Sequence, residues 1–100
     1  MQPGDVYEVA QLHVREDARE AFAAAAPAAE AALAAAPGCR EAHILLGVEV
    51  AEEPLLVVRW ESVAAHQAFR DSPAFAGYRA TIQDHFAAPP SFRHYTVAGG

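Results

Sequence analysis

The sequence predicts an α+β fold in which a four-stranded antiparallel sheet carries its helices on one face. Three observations lead there: period-two alternation near the start of the chain, a long alanine-rich stretch closed by Pro37-Gly38, and two runs of Ile, Leu and Val separated by an acidic turn. Read in order, the elements are strand, helix, strand, strand, helix pair, strand. That order is the split βαβ arrangement of a ferredoxin-like fold.

From Val6 to Val14, Glu8, Ala10 and Leu12 alternate with Tyr7, Val9, Gln11 and His13, the pattern of a first strand. Glu16 and Asp17 place negative charge where a helix N-terminus stabilises it, so a helix is expected over about 17–36. Pro27 lies inside that stretch and lacks an N–H, which predicts a kink or a break. Arg40 to Ala51 and Leu55 to Glu61 read as a β-hairpin turning at Glu52-Glu53-Pro54. Ser62 is placed to cap a helix through Arg70, and Ser72-Pro73 opens another that reaches about His85. Along this last helix Phe75, Tyr78, Ile82 and His85 or Phe86 recur at spacings of three and four, a stripe for one buried face. After Pro89-Pro90, Phe92 to Val97 reads as the closing strand.

The chain has 100 residues, 53% of them apolar, which suits one domain over residues 1–100. A net charge of −6 and seven scattered arginines argue against a nucleic-acid partner, because phosphate binding needs clustered cations. No run approaches the roughly 18 apolar residues of a membrane span, and the first residues lack a signal-peptide pattern, so a soluble cytoplasmic protein is expected. Cys39 has no partner for an internal disulfide and reads as a structural thiol. The five histidines show no metal-ligand spacing and no glycine loop suited to phosphates is present, so no metal or organic cofactor is expected. The hairpin strands are apolar on both faces: Ile44, Leu46, Val48, Leu56, Val58 and Trp60 on one, Leu45, Leu55 and Val57 on the other. Helices cover only one face, so burying the second predicts a homodimer.

Trp60-Glu61-Ser62, then Ala65, Ala68, Ser72-Pro73 and Phe75, resemble the tryptophan-to-Ser-Pro signature that ends the third strand in antibiotic biosynthesis monooxygenases. The resemblance extends over nearly the whole chain. It implies a dimeric α+β barrel of two sheets packed face to face, each with a pocket between the sheet and its own helices. The best-known branch of that family oxidises phenolic or anthrone-type polyketides to quinones with dioxygen and no cofactor. In such chemistry the substrate supplies the electrons, and the protein must deprotonate it, stabilise the anion and exclude water.

Residues for those tasks can be named. Trp60 resembles the family's strand-end tryptophan, whose indole N–H can donate to a ligand oxygen; the alternative is a core tryptophan. Arg79 matches the helix position where quinone-forming members place an arginine, and its donors suit a ketone or phenolate. His66 stands six residues after the tryptophan at a position usually apolar, and it should point inward as a general base or as a buried neutral histidine. Phe69 stands where many relatives carry a histidine, and Leu56 where quinone-forming members carry an amide. Haem-degrading relatives need an asparagine on the first strand, and this chain has none. Phe69, Tyr78, Tyr95, Tyr7, His13 and Phe22 form a second tier of substrate-binding candidates, the alanines around Phe22 leaving volume for a flat ring system. The leading reading is a cofactor-independent monooxygenase acting on a phenolic or polyketide-type aromatic. A polyketide cyclase or isomerase, or a non-catalytic ligand-binding barrel, uses the same parts.

Overall fold

The computed structural model describes residues 4–99. Four strands, β1 (Val6–Gln11), β2 (Cys39–Leu45), β3 (Leu55–Trp60) and β4 (Ser91–Tyr95), form one antiparallel sheet in the order β2-β3-β1-β4. Helices α1 (Arg19–Ala34), α2 (Val63–Arg70) and α3 (Pro73–Ile82) cover one face. This is the ferredoxin-like α+β arrangement.

Strand alternation decides which side chains meet the helices. Glu8, Ala10, Leu56, Val58 and Trp60 are buried beneath them, with Phe22, Ala29 and Leu33 of α1 pressed onto the same core. The other face carries Val9, Leu55 and Val57, half-buried, and Leu45 and Tyr95, each 50% exposed. An ion-pair chain also belongs there: Arg59 of β3 reaches Asp5 at 2.6 Å and Glu41 at 3.0 Å.

Several boundaries differ from expectation. Helix α1 runs unbroken through Pro27, whose ring sits on the exposed side, so packing of Phe22, Ala26, Ala29 and Leu33 holds the helix across the missing hydrogen bond. β1 stops at Gln11, and Val14 makes only an isolated bridge to Phe86. β2 ends at Leu45, not Ala51, so Leu46 and Val48 lie in a loop, 56% and 92% exposed. Gly47 suits the turn that follows, because a Cβ there would run into the Val50 carbonyl oxygen. Ser62 caps α2 as expected by accepting from Ala65 N at 3.0 Å. Ser72 instead donates back to the Phe69 carbonyl at 2.6 Å, leaving Pro73 to open α3.

Candidate active site

A cavity of about 590 Å³ lies between the helix-facing side of the sheet and α2, α3 and the segment that follows them. Its floor is Glu8, Ala10 and Leu12 of the first-strand segment with Leu56 of β3; His66, Tyr78 and Ile82 form the opposite wall. Arg70, Arg79, Asp84 and Phe92 stand among the more exposed lining residues. The wall is mostly apolar and aromatic with few polar groups, the usual make-up of a small-molecule site.

The least expected of those polar groups is Glu8, which the strand's alternation turns inward to only 6% exposure. Its Oε1 accepts the indole N–H of Trp60 at 3.1 Å and lies 3.2 Å from His66 Nε2. No bond to Oε2 is formed among the described residues, and Glu8 lines the cavity. Burial pushes its carboxyl above the usual range, partly offset by the Trp60 N–H and by the charge of Arg70.

His66 points inward from the second turn of α2, 4% exposed, its ring stacked on Trp60 at 5.0 Å and 16°. Its Nδ1 lies 2.8 Å from Nε2 of His94 on β4. The sheet register makes this possible, since Glu8 and His94 are direct cross-strand partners on the helix-facing side. Burial, then the neighbouring His94 and Arg70, lower the His66 pKa to about 4. Its Nδ1 is thus hydrogen-bonded and its Nε2 lies against the Glu8 carboxylate, and the ring is neutral near pH 7. The three side chains run in series and do not converge on a point; among the described residues no group of three His, Cys, Asp or Glu is arranged to hold a metal ion.

Arg79 lines the cavity with its guanidinium 5.8 Å from the Phe75 ring, and Arg70 lies 4.8 Å over Phe92. Neither arginine pairs with a carboxylate among the described residues. Tyr78 lines the wall, and burial raises its hydroxyl pKa, so it stays protonated.

The remaining candidates from the sequence lie elsewhere. Trp60 is 0% exposed and spends its N–H on Glu8, so it holds the carboxylate and does not reach the cavity. Phe69 backs the wall, its ring packed on Trp60, Phe75 and Tyr78. Tyr7 and Tyr95 face each other in register on the side of the sheet away from the helices. His13 is half-buried beyond β1, with its carbonyl accepting from Ala87 N. Phe22 lies under α1 against His85 and Phe86, and the alanines around it are closely packed, leaving the cavity to the α2–α3 side.

The sequence profile of the antibiotic biosynthesis monooxygenases matches residues 5–81. The chain belongs to that family. Among solved structures, a Bordetella bronchiseptica protein named for antibiotic biosynthesis monooxygenase superposes with a TM-score of 0.89 at 29% identity, covering 95% of this chain and 98% of its own. A Mycobacterium tuberculosis protein gives a TM-score of 0.75 at 27% identity, covering 93% and 94%. A variant of SnoaB, a cofactor-independent oxygenase from Streptomyces nogalater, shares the fold at a TM-score of 0.79 and 16% identity, covering 95% and 94%. No curated protein sequence matches the chain significantly. No helix among the described residues is long and apolar enough to cross a membrane.

Proposed function

We propose that this antibiotic biosynthesis monooxygenase family member is a cofactor-independent oxygenase of phenolic or polyketide-type aromatic substrates. The observation that carries the reading is a carboxylate buried in the wall of an aromatic-lined cavity, with its basicity raised and with Trp60 and His66 both meeting the same one of its oxygens. Glu8 removes a proton from the phenol or from the acidic ring carbon, and His66 holds the carboxylate in place. Arg79, joined by Arg70 at the rim, stabilises the oxyanion that forms. The carbanion form passes its electrons to dioxygen; one oxygen atom stays as the new ring carbonyl and the other leaves as water. Placing the base at Glu8 follows from its raised basicity and from the lowered basicity of His66, whose Nδ1 is taken by His94 and whose Nε2 lies against the carboxylate.

Oxygen uptake by chelator-treated protein with a panel of anthrones and naphthols tests this. One dioxygen consumed per quinone formed, unchanged by the chelator, is the expected result. Loss of turnover on chelation with recovery on adding metal would overturn the cofactor-free mechanism. Leu56, lining the cavity where quinone-forming relatives carry an amide, favours a second reading, a cyclase or isomerase using the same base and oxyanion donors. A product isomeric with its substrate and no oxygen uptake would establish that reading instead.

The protein is expected to work as a homodimer joined through the sheet face opposite the helices. Val9, Leu55 and Val57 with the exposed Leu45 and Tyr95 supply the apolar part of that surface. Light scattering at micromolar concentration should report about twice 10.6 kDa. A clean monomer would remove the barrel assembly.

A further inference from the structure

We infer that Glu8, His66 and His94 form a proton wire that connects the cavity to solvent through β4. The wire's catalytic use rests on the proposed role of Glu8 as base; its existence does not. Three geometric facts carry it. Glu8 Oε1 and His66 Nε2 are 3.2 Å apart, His66 Nδ1 and His94 Nε2 are 2.8 Å apart, and exposure grows along the series, from two buried groups to the half-buried His94. No other polar chain leads from Glu8 toward the surface among the described residues: its hydrogen bond from Trp60 Nε1 goes no further, since the indole is a donor only.

The His66–His94 link is a hydrogen bond, and the Glu8–His66 link is a 3.2 Å contact that becomes one when the ring and carboxylate align. The aligned series has two self-consistent directions, and one concerted transfer converts them. With Glu8 protonated, its O–H donates to His66 Nε2, and His66 Nδ1–H donates to His94 Nε2. In the transfer, the Glu8 O–H bond breaks as His66 Nε2–H forms, and His66 Nδ1–H breaks as His94 Nε2–H forms. The proton on His94 Nδ1 leaves to water. Glu8 is then a carboxylate accepting from His66, and His66 accepts from His94. His66 stays neutral before and after, as its stacked and desolvated position against Trp60 demands. The charged and titratable groups around the pair are Arg70 of α2, Tyr78 of α3, Cys39 of β2 and His94 of β4. Arg70 opposes a cation on His66 and favours the Glu8 carboxylate, so it biases the wire toward its discharged direction. A ligand that fills the cavity would close off solvent on the other side of Glu8, and the wire would then be its route for exchanging protons.

Nitrogen NMR of the histidine-labelled, ligand-free protein, followed between about pH 4.5 and 8, reads the wire directly. The expected result is that His66 changes tautomer, from Nδ1–H at low pH to Nε2–H at high pH, without passing through imidazolium. In the Glu8→Gln variant the tautomer should no longer respond to pH. A His66 that keeps one tautomer throughout, or that titrates to imidazolium in this range, would overturn the inference. Turnover supplies a separate readout. His94→Gln, which keeps a hydrogen bond but cannot relay, should slow turnover by on the order of 10–10²-fold, short of the 10²–10⁴ expected for loss of a base, and added imidazole should restore it. Undiminished turnover in His94→Gln, or a loss that imidazole fails to restore, would also overturn the wire's catalytic use. A tautomer change with no turnover on any phenol would instead leave the wire standing and remove the oxygenase reading.

Discussion

Replacing Glu8 by Gln is expected to lower turnover by on the order of 10²–10⁴ while leaving the fold and assembly intact, because the amide keeps the side chain's shape and loses its basicity. The comparison that assigns the role is His66→Ala. If Glu8 is the base and His66 its support, the alanine variant should keep more activity than Glu8→Gln. If His66 itself takes the substrate proton, the order reverses and the assignment to Glu8 falls. The same variant has a signature in stability. A histidine whose folded pKa is lowered from 6.5 to about 4 contributes stability that is present above 6.5 and lost as pH falls toward 4, since the unfolded chain then binds the extra proton. At about 1.4 kcal/mol for each pH unit, that loss is roughly 3 kcal/mol. Glu8 works in the opposite sense. Its folded pKa is raised, so its contribution is present at low pH and lost as pH rises from the usual carboxylate value through the folded one. Where the two windows overlap, the folded protein carries on Glu8 the proton that the unfolded chain carries on His66, and the pH dependences offset each other. Glu8→Gln removes the offset. Its thermal midpoint should therefore fall more steeply between pH 6.5 and 4 than that of the wild type, and parallel curves would show that the pair does not share a proton.

Trp60→Ala should cost about 3–5 kcal/mol in a denaturant titration, the range for truncating a fully buried aromatic. The indole is 0% exposed, lies 5.8 Å from the Phe69 ring and 5.0 Å from the His66 ring, and donates to Glu8. Its removal leaves a hole beneath α2 and takes one donor from a buried carboxylate. Trp60→Phe separates the two effects, keeping most of the packing while deleting the N–H. Because that N–H holds the Glu8 pKa down against burial, the phenylalanine variant should push it higher and move the acid limb of the pH–rate profile upward. A cost below about 1 kcal/mol for Trp60→Ala would mean that the indole is not the keystone between β3 and α2.

The order of the elements was legible in the residues because each carries a local signal. Ser62 two residues after Trp60, proline after Ser72, and period-two alternation from Val6 all act within a few residues of themselves. The inward position of His66 was legible for the same reason, since helical spacing from Ser62 fixes its direction. The partners of His66 were not. Glu8 lies 58 residues before it and His94 28 residues after it in sequence, and only the pairing of β1 with β4 sets those two side by side beneath α2. The fate of Trp60 was equally non-local: the indole reads as a free donor until a carboxylate two strands earlier in the chain is found buried against it. Tyr7 and Tyr95 went the other way, because which strand face meets the helices is decided by packing of the whole sheet and not by the aromatic character of either residue. Sequence alone thus determined the elements, their order and the family signature. Tertiary structure decided which oxygen and which nitrogens lie side by side, because contacts between distant strands depend on register and burial that no local pattern records.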